Sequence, residues 1–313
     1  MDNTKNQQTI QRGIAIVTGA SSGIGAAFAR HLAAGAGGQE RFRSLPYFDE
    51  LWLVARRGDR LTNLAEEIRR ELGEVDGGTV QSETLTIRTF PADLTAPGTL
   101  ETLADRTKKS GKPVRVLINN AGYGTYGPFS ENDLNRQLGQ VDLNCRALTQ
   151  SCGLFDPLLE SGSWVVNVAS LAAFAPLGGF AVYAATKAYV LSLSVALGTE
   201  WRSRGVRVMA LCPGSVDSEF AKVASNGARE IVLHGWSADK TVIRALRDCG
   251  RGKRISLPKF SWKLQRWAAS LAGPVLSAFF AQAFLQRPHQ KSQVNEGAGT
   301  SETEAPEKMD QKG

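Results

Sequence analysis

Residues 13–34 read Gly13-Ile14-Ala15-Ile16-Val17-Thr18-Gly19-Ala20-Ser21-Ser22-Gly23-Ile24-Gly25 and then Ala26-Ala27-Phe28-Ala29-Arg30-His31-Leu32-Ala33-Ala34. The apolar run from Gly13 to Val17 has strand character, and Ala26 to Ala34 has helix-forming composition. A glycine-rich turn joins the two. Glycines let a backbone approach a pyrophosphate closely, while a helix N-terminus offers unpaired N–H groups and the positive end of a dipole. Phosphate binding is the natural use of such a turn.

The spacing is Gly-x-x-x-Gly-x-Gly rather than the commoner Gly-x-Gly-x-x-Gly. The same letters contain Gly19-x-Ser21-x-Gly23, the nucleophile-elbow pattern of α/β hydrolases, which would make Ser21 a nucleophile. Order argues against that reading: an elbow should follow several strands, and Ser21 follows the first. His31, His234 and His289 offer it no obvious partner.

Outward from this turn, strand-like runs alternate with helical stretches. Leu51 to Ala55 is a second strand ending at Arg56-Arg57, and Leu61 to Leu72 is a helix. Leu85 to Phe90 leads to Asp93-Leu94, and Val114 to Ile118 ends in Asn119-Asn120-Ala121-Gly122. Trp164 to Val168 and Val206 to Leu211 follow, with helical periodicity over Leu134–Leu148 and Ala184–Trp201. The alternation implies a single doubly wound parallel α/β sheet, Rossmann-like, with helices on both faces and ligands at the carboxyl ends of the strands. The stretch Gly35 to Tyr47 is longer than the usual connection and reads as a surface insertion.

At the end of the second strand an acidic residue would bind a free ribose 2′-hydroxyl, whereas an arginine accommodates a 2′-phosphate. Arg56 favours NADP over NAD on that ground; Arg57 is either a second contact or a solvated charge. Ser170 follows the fifth strand, and Tyr183 and Lys187 lie one turn apart on one helix face. A phenol with a pKa of about 10 is a poor proton donor at neutral pH, and a nearby ammonium lowers that pKa. Taken alone, the pair also fits a core tyrosine beside a snorkelling lysine.

Together, Thr18-Gly19-x-x-x-Gly23-Ile24-Gly25, Asn119-Asn120-Ala121-Gly122 and Tyr183-x-x-x-Lys187 resemble the short-chain dehydrogenase/reductase family over roughly Gly13 to Phe260. Within it, the closest look is to bacterial broad-specificity carbonyl and acyl reductases. The resemblance implies hydride transfer between NADP(H) and a carbonyl or secondary alcohol, with Tyr183 as proton donor, Ser170 beside the same oxygen, Lys187 on the nicotinamide ribose and Asn144 completing the catalytic set. It implies cofactor contacts from Thr18, Gly19, Ser21, Ser22, Gly23, Ile24, Gly25, Asp93, Leu94, Asn120, Ala121, Gly122, Pro213, Gly214, Val216 and Ser218, the last standing where the family usually has threonine. Asn119 would brace the central strand. Tyr189 reads as packing, and Tyr123 and Tyr126 as a substrate wall. A redox sensor or scaffold that binds the dinucleotide without turnover is the alternative.

The 313 residues, 42% of them hydrophobic, suffice for one sizeable core. Cys145, Cys152, Cys212 and Cys249 lack metal or disulfide spacing, so no metal site is expected and the expected compartment is reducing and cytoplasmic. The net charge of +7 is uneven: Lys240 to Arg266 holds nine Lys/Arg and one acidic residue, Asp248. No nucleic-acid partner is expected. The chain divides into a polar tail at 1–12, the dinucleotide domain at 13–260, an apolar helical extension at 261–286 and a polar, disordered tail at 287–313.

The family resemblance implies that Ser218 to Asp239 caps the substrate; its apolar residues favour a hydrophobic or bulky carbonyl compound and fit the core of the cap equally well. Trp267 to Leu285 has nineteen uncharged residues interrupted by Gly273-Pro274. It fits an interfacial element whose Lys259, Lys263 and Arg266 meet lipid headgroups, giving peripheral membrane contact through 240–285. The alternative is a helical pair covering the substrate cleft or a dimer partner. The helix from Ala184 to Leu197, apolar on most faces, suggests a homodimer or homotetramer.

Overall fold

Strand β1 (Ile14–Thr18) is buried at every position, as are β2 (Glu50–Ala55) and the second half of β5 (Leu159–Val168). Parallel strands covered on both faces read as continuous apolar runs rather than alternating ones, which is why these segments stood out. The computed structural model describes residues 13–36, 38–39, 42, 44–74, 85–229, 235–284 and 288–289. The N-terminal tail at 1–12, nearly all of the expected tail from 287 onward, and Ile231, Val232 and His234 lie outside the described residues.

In chain order the remaining elements are α1 (Gly23–Ala36), α2 (Gly58–Glu74), β3 (Thr86–Pro91), α3 (Thr99–Lys109), β4 (Val114–Asn119), α4 (Leu134–Val141), α5 (Leu148–Phe155), α6 (Ala181–Glu200), β6 (Arg207–Leu211), α7 (Phe220–Ala224), α8 (Ala238–Gly250), β7 (Ile255–Ser256) and α9 (Phe260–Phe284). Seven parallel strands run β3-β2-β1-β4-β5-β6-β7. The order reverses between β1 and β4, and at such a switch point the diverging loops open a crevice at the strands' carboxyl ends.

Each sheet face carries its own core. Phe28, Leu32, Leu61 and Leu246 pack on one side, from α1, α2 and α8. Leu103, Phe155 and Val190 pack on the other, from α3, α5 and α6. Under the crevice a buried polar network ties strands to helices: Asn119 Nδ2 donates to Asn167 Oδ1 at 2.9 Å, Ser151 Oγ donates to Asn119 Oδ1 at 2.8 Å, and Asn167 Nδ2 donates to Ser194 Oγ at 3.0 Å. Paired in this way, the groups avoid the desolvation cost of a lone buried amide and pin β4 against β5. This is the bracing expected of Asn119.

Three expectations need correction. The Gly35–Tyr47 stretch is not simply a surface insertion: Phe42 is buried in the α1-side core and stacks 5.7 Å from His31, because Gly35 leaves room for Leu45 and Phe42 to close over α1. Tyr189 is not core packing; it is 43% exposed, with its hydroxyl 2.8 Å from Thr149 Oγ1. The helix over Leu134–Leu148 is interrupted by a π-helical turn at Asp142–Ala147.

α9 is bent at Gly273, whose φ of 72° lies in the left-handed region, immediately before Pro274. Proline has no backbone N–H to donate to the preceding turn, so the two arms meet at a break. Among α9 residues only Trp262 and Ala281 are buried.

Candidate active site

The glycine turn between β1 and α1 is shaped by two positive φ angles, 64° at Gly19 and 55° at Gly23. A Cβ at Gly19 would lie 2.7 Å from Asn120 Nδ2, and one at Gly25 would lie 2.1 Å from the Gly19 carbonyl oxygen. Gly25 therefore lets α1 start close under the turn rather than facing the crevice. Thr18 is likewise a brace: its hydroxyl donates to the Ile118 carbonyl and accepts from the Asn120 and Ala121 N–H groups at 3.0 and 3.1 Å. Asn120 Nδ2 donates to the Thr18 and Gly19 carbonyls, locking β4's end to the turn.

These loops enclose one large cavity of about 1270 Å³. It is lined at one end by Gly19, Ser21, Ser22, Gly23, Ile24 and Arg56, and along its length by Asp93, Leu94, Asn120, Ala121 and Gly122. Ser170, Tyr183, Lys187, Pro213, Gly214, Val216 and Ser218 complete the wall. Of the sequence-derived site residues, Thr18, Gly25 and Asn144 stand behind this wall and the rest line it. A dinucleotide fits the residues present: the turn is a bare backbone cradle, since a side chain at Gly19 or Gly23 would both strain the backbone and fill the space.

Ser170 ends the loop after β5. Its Oγ accepts from Ala172 N–H at 3.1 Å and lies 3.5 Å from the Pro213 carbonyl. Tyr183 is buried, stacks on Phe180 with centroids 4.2 Å apart, and lies 5.2 Å from the Phe220 ring. Gly124 makes room for that stack, because a Cβ there would come within 2.8 Å of Tyr183 Cδ2.

Lys187 is buried, with Nζ donating to the Val168 carbonyl at 2.7 Å and sitting 5.7 Å from the Tyr183 ring centroid. Burial pushes its ammonium down to about 8, since removing water penalises the charged form. The tyrosine and lysine are thus neighbours on α6, and the lysine is held inside the site rather than snorkelling out of it.

Asn144 sits in the π turn, a distortion that often marks functional positions. Its Oδ1 accepts from Tyr123 N–H at 3.1 Å, and its Nδ2 donates to the Tyr123 carbonyl and to Thr186 Oγ1. Gly122 sets the spacing: a Cβ there would lie 2.8 Å from Asn144 Oδ1 and 3.4 Å from Lys187 Nζ. Asn144 and Lys187 consequently flank the same point of β4's loop.

Asp93 Oδ1 accepts from the Thr95 hydroxyl at 2.7 Å and the Thr95 N–H at 2.9 Å, and these bonds hold its carboxyl below the usual range. Arg57 also lines the cavity. Its guanidinium bonds Ser21 and Ser22 Oγ at 3.0 and 2.9 Å and Glu219 Oε2 at 2.8 Å. Hydrogen bonding by Arg60 and Arg57 holds Glu219 down to about 2. Only the Arg56-Arg57 pair hinted at this contact. Ser21 is occupied by Arg57 rather than by histidine, and His31 and His289 pair with Asp239 and Glu131. The nucleophile-elbow reading has no support from this geometry.

Tyr123 and Tyr126 both line the cavity. The sequence reading missed Phe174, Leu177 and Phe180, which complete the apolar walls together with Trp262, Ala269 and Phe280 of α9, the extension for which a cover over the cleft was one of the readings. None carries a motif; they meet only in three dimensions.

Comparison with known proteins agrees with this geometry. A sequence model described as short chain dehydrogenase matches residues 13–228. A 1-deoxy-11-beta-hydroxypentalenate dehydrogenase of Streptomyces exfoliatus is 35% identical over 219 residues, covering 68% of this chain and 70% of that protein. Among solved structures, a short-chain dehydrogenase of Sphingobium yanoikuyae in complex with NADPH superposes with a TM-score of 0.66 at 29% identity, over 82% of this chain and 94% of the other. A Burkholderia phymatum short-chain dehydrogenase/reductase in complex with NAD shares the fold, with a TM-score of 0.69 at 19% identity over 84% and 94% of the two chains. With the glycine turn, the Asn-Asn-Ala-Gly loop and the Tyr183–Lys187 pair gathered on one cavity, the chain belongs to the short-chain dehydrogenase/reductase family of oxidoreductases.

Proposed function

We propose that the protein is an NADP(H)-dependent carbonyl reductase or alcohol dehydrogenase acting on a hydrophobic compound. The observation that carries this reading is the position of Ser170, Tyr183 and Lys187 on the wall of the same cavity as the glycine turn. The bound nicotinamide would supply the hydride at its C4 to a carbonyl carbon. Tyr183 Oη then gives its proton to the developing alkoxide, and Ser170 Oγ hydrogen-bonds the same oxygen, so the product is the secondary alcohol. Lys187, in the reading carried over from the family, binds the nicotinamide ribose and favours the tyrosinate, while Asn144 holds the path by which the proton is restored.

Preference for NADP is supported by Arg56 and Arg57 at the end of β2, where a 2′-phosphate would meet two guanidinium groups and the Ser21 and Ser22 hydroxyls. Hydrophobic substrate is supported by Phe174, Leu177, Phe180, Phe220 and Leu276 along the wall. Self-association is supported by Leu134, Leu138 and Val141 on α4, which are 43–58% exposed.

The test is NADPH oxidation over a panel of ketones, quinones and acyl thioesters, repeated with Tyr183→Phe. Turnover that vanishes in the variant supports the enzyme; tight NADPH binding with no turnover on any carbonyl would favour a sensor or scaffold. In the same titration, Arg56→Ala and Arg57→Ala should weaken NADPH much more than NADH. Equal loss for both cofactors would overturn the preference.

A further inference from the structure

α9 crosses the cavity from Trp262 to Ala281, and its two faces differ in kind. Inward, Ala268, Ala269 and Ala272 line the cavity. Outward stand Phe260, Leu264, Trp267 and Leu271, at 78%, 56%, 61% and 67% exposure. Spacings of four, three and four residues put them in one stripe. Beyond the Gly273 break, Val275 and Phe279 extend the apolar surface at 83% and 68%. Of the fifteen exposed large apolar or aromatic residues in the described chain, nine belong to α9.

Charge accompanies this face. From Cys249 to Leu285 the sequence holds no Asp or Glu but carries Arg251, Lys253, Arg254, Lys259, Lys263 and Arg266; Arg251 and Lys263 are exposed and stand clear of the cavity, whereas Lys259 and Arg266 line it and lie over the Trp236 and Phe174 rings. Among the described residues, Lys253 is the one of these paired with a carboxylate, that of Asp248.

We propose that the outer face of α9 docks on an anionic lipid surface, apolar stripe at the acyl boundary and basic residues at the headgroups, so that lipid-dissolved carbonyl compounds enter the cavity directly. Leu276 and Phe280 mark the entry, since both line the cavity and both remain more than half exposed. The arms on either side of Gly273 are about 20 and about 16 Å long at 1.5 Å per residue. Either is short of the roughly 30 Å hydrocarbon core, so the element lies in the interface and does not span it. A second copy is a poorer occupant: a two-fold interface sets the same patch against itself, and this patch would oppose cations to cations with no acid between them.

Entry of substrate from lipid rests on the carbonyl-reductase reading; docking does not. Flotation is read without turnover, so the two fail separately. The full chain should float with vesicles of phosphatidylcholine mixed with phosphatidylglycerol, stay at the bottom with phosphatidylcholine alone, and detach as salt is raised. Leu271→Glu/Phe279→Glu should cut partitioning more than ~10-fold, and Lys263→Glu by about 5-fold or more, the effect of one basic residue at an anionic surface. Both variants should keep wild-type NADPH binding and thermal unfolding, which shows that they fold. The proposal is overturned if the full chain floats with neither vesicle, or if Leu271→Glu/Phe279→Glu floats as well as wild type. It is also overturned if that variant dissociates a dimer in sedimentation without changing flotation, which would assign the face to a second copy.

Discussion

The segments Ala181–Arg204, which contains α6, and Phe260–Phe284, which is α9, each hold an 18-residue stretch of similar apolar character and meet opposite fates: 39% of the stretch is buried in one and 6% in the other. Composition does not separate them; the residues that touch the sheet do. α6 presents Thr186, Ser194 and Gly198 to its neighbours, and every one of these has a contact. Ser194 accepts from Asn167, Thr186 accepts from Asn144, and the missing side chain at Gly198 lets the helix approach the Val208 carbonyl, which a Cβ would meet at 3.1 Å. α9 touches the domain through a few side chains, Trp262 against Trp236 and Gly214, Arg266 over the Phe174 ring and Gln282 against Gly178. A helix becomes interior when small and polar groups let it come close, and a roof when a few long side chains anchor it.

Substitutions on the two helices should therefore differ in kind and size. The largest effect belongs to α6: Tyr183→Phe should lower kcat by about 10²- to 10⁴-fold, the range of a lost general acid, with NADPH affinity unchanged by titration. On α9, Leu271→Ala should leave kcat on a water-soluble ketone unaltered, and a comparable loss there would erase the distinction between floor and roof.

In the sheet that supports α6, acid should reveal the next effect. Burial alone would raise the Glu50 carboxyl, but hydrogen bonds from Lys112, Trp52 and Arg88 outweigh it and hold the group down to about 2, against 4.5 for the free carboxyl. The ionised form is favoured by folding, so this stability is complete above the unfolded value and is lost as pH falls from about 4.5 toward 2. Glu50→Gln should cost about 2 kcal/mol at neutral pH and flatten the acid limb of urea midpoints. A variant whose acid limb matches wild type would remove Glu50 from that role.

Packing gives the smaller contrasts. Val190 is fully buried on α6, and Val190→Ala should cost about 2 kcal/mol. Leu271→Ala on α9 should cost less than about 0.5 kcal/mol, as exposed sites do. Calorimetry on the pair is the sharpest comparison, because both substitutions shorten an aliphatic side chain in an apolar helix. Equal costs would mean that α9 is as firmly packed as α6.

The glycine turn, the alternation of buried strands with helices and the Tyr183–Lys187 spacing were legible because each is a local requirement: a positive φ, a doubly covered strand, one turn of helix. What could not be read depends on distant partners. Phe42 looks like a loop residue until Gly35 and α1 make room for it. Arg57 looks like a solvated charge until the turn brings Ser21 and Ser22 within reach. β7 has two residues, too few for any pattern, and exists because β6 offers an edge. The π turn was invisible for another reason: one extra residue barely disturbs a helical periodicity judged by eye, yet it decides where Asn144 points.

That turn makes the helix sensitive to length as well as to chemistry. Removing one residue from 142–147 would let α4 and α5 fuse into an uninterrupted α-helix whose two ends keep nearly their present phase, since a π turn is a helix that has absorbed one extra residue, while the residues inside the turn would shift. Leu148, Cys152 and Phe155, now buried on the sheet side, would keep their places, and Asn144 at the crevice would lose its own. A scan of single deletions through this segment should separate folded protein from turnover, which substitution at Asn144 alone would not do. For this stretch the inherited quantity is a count of residues, and insertions and deletions are its point mutations.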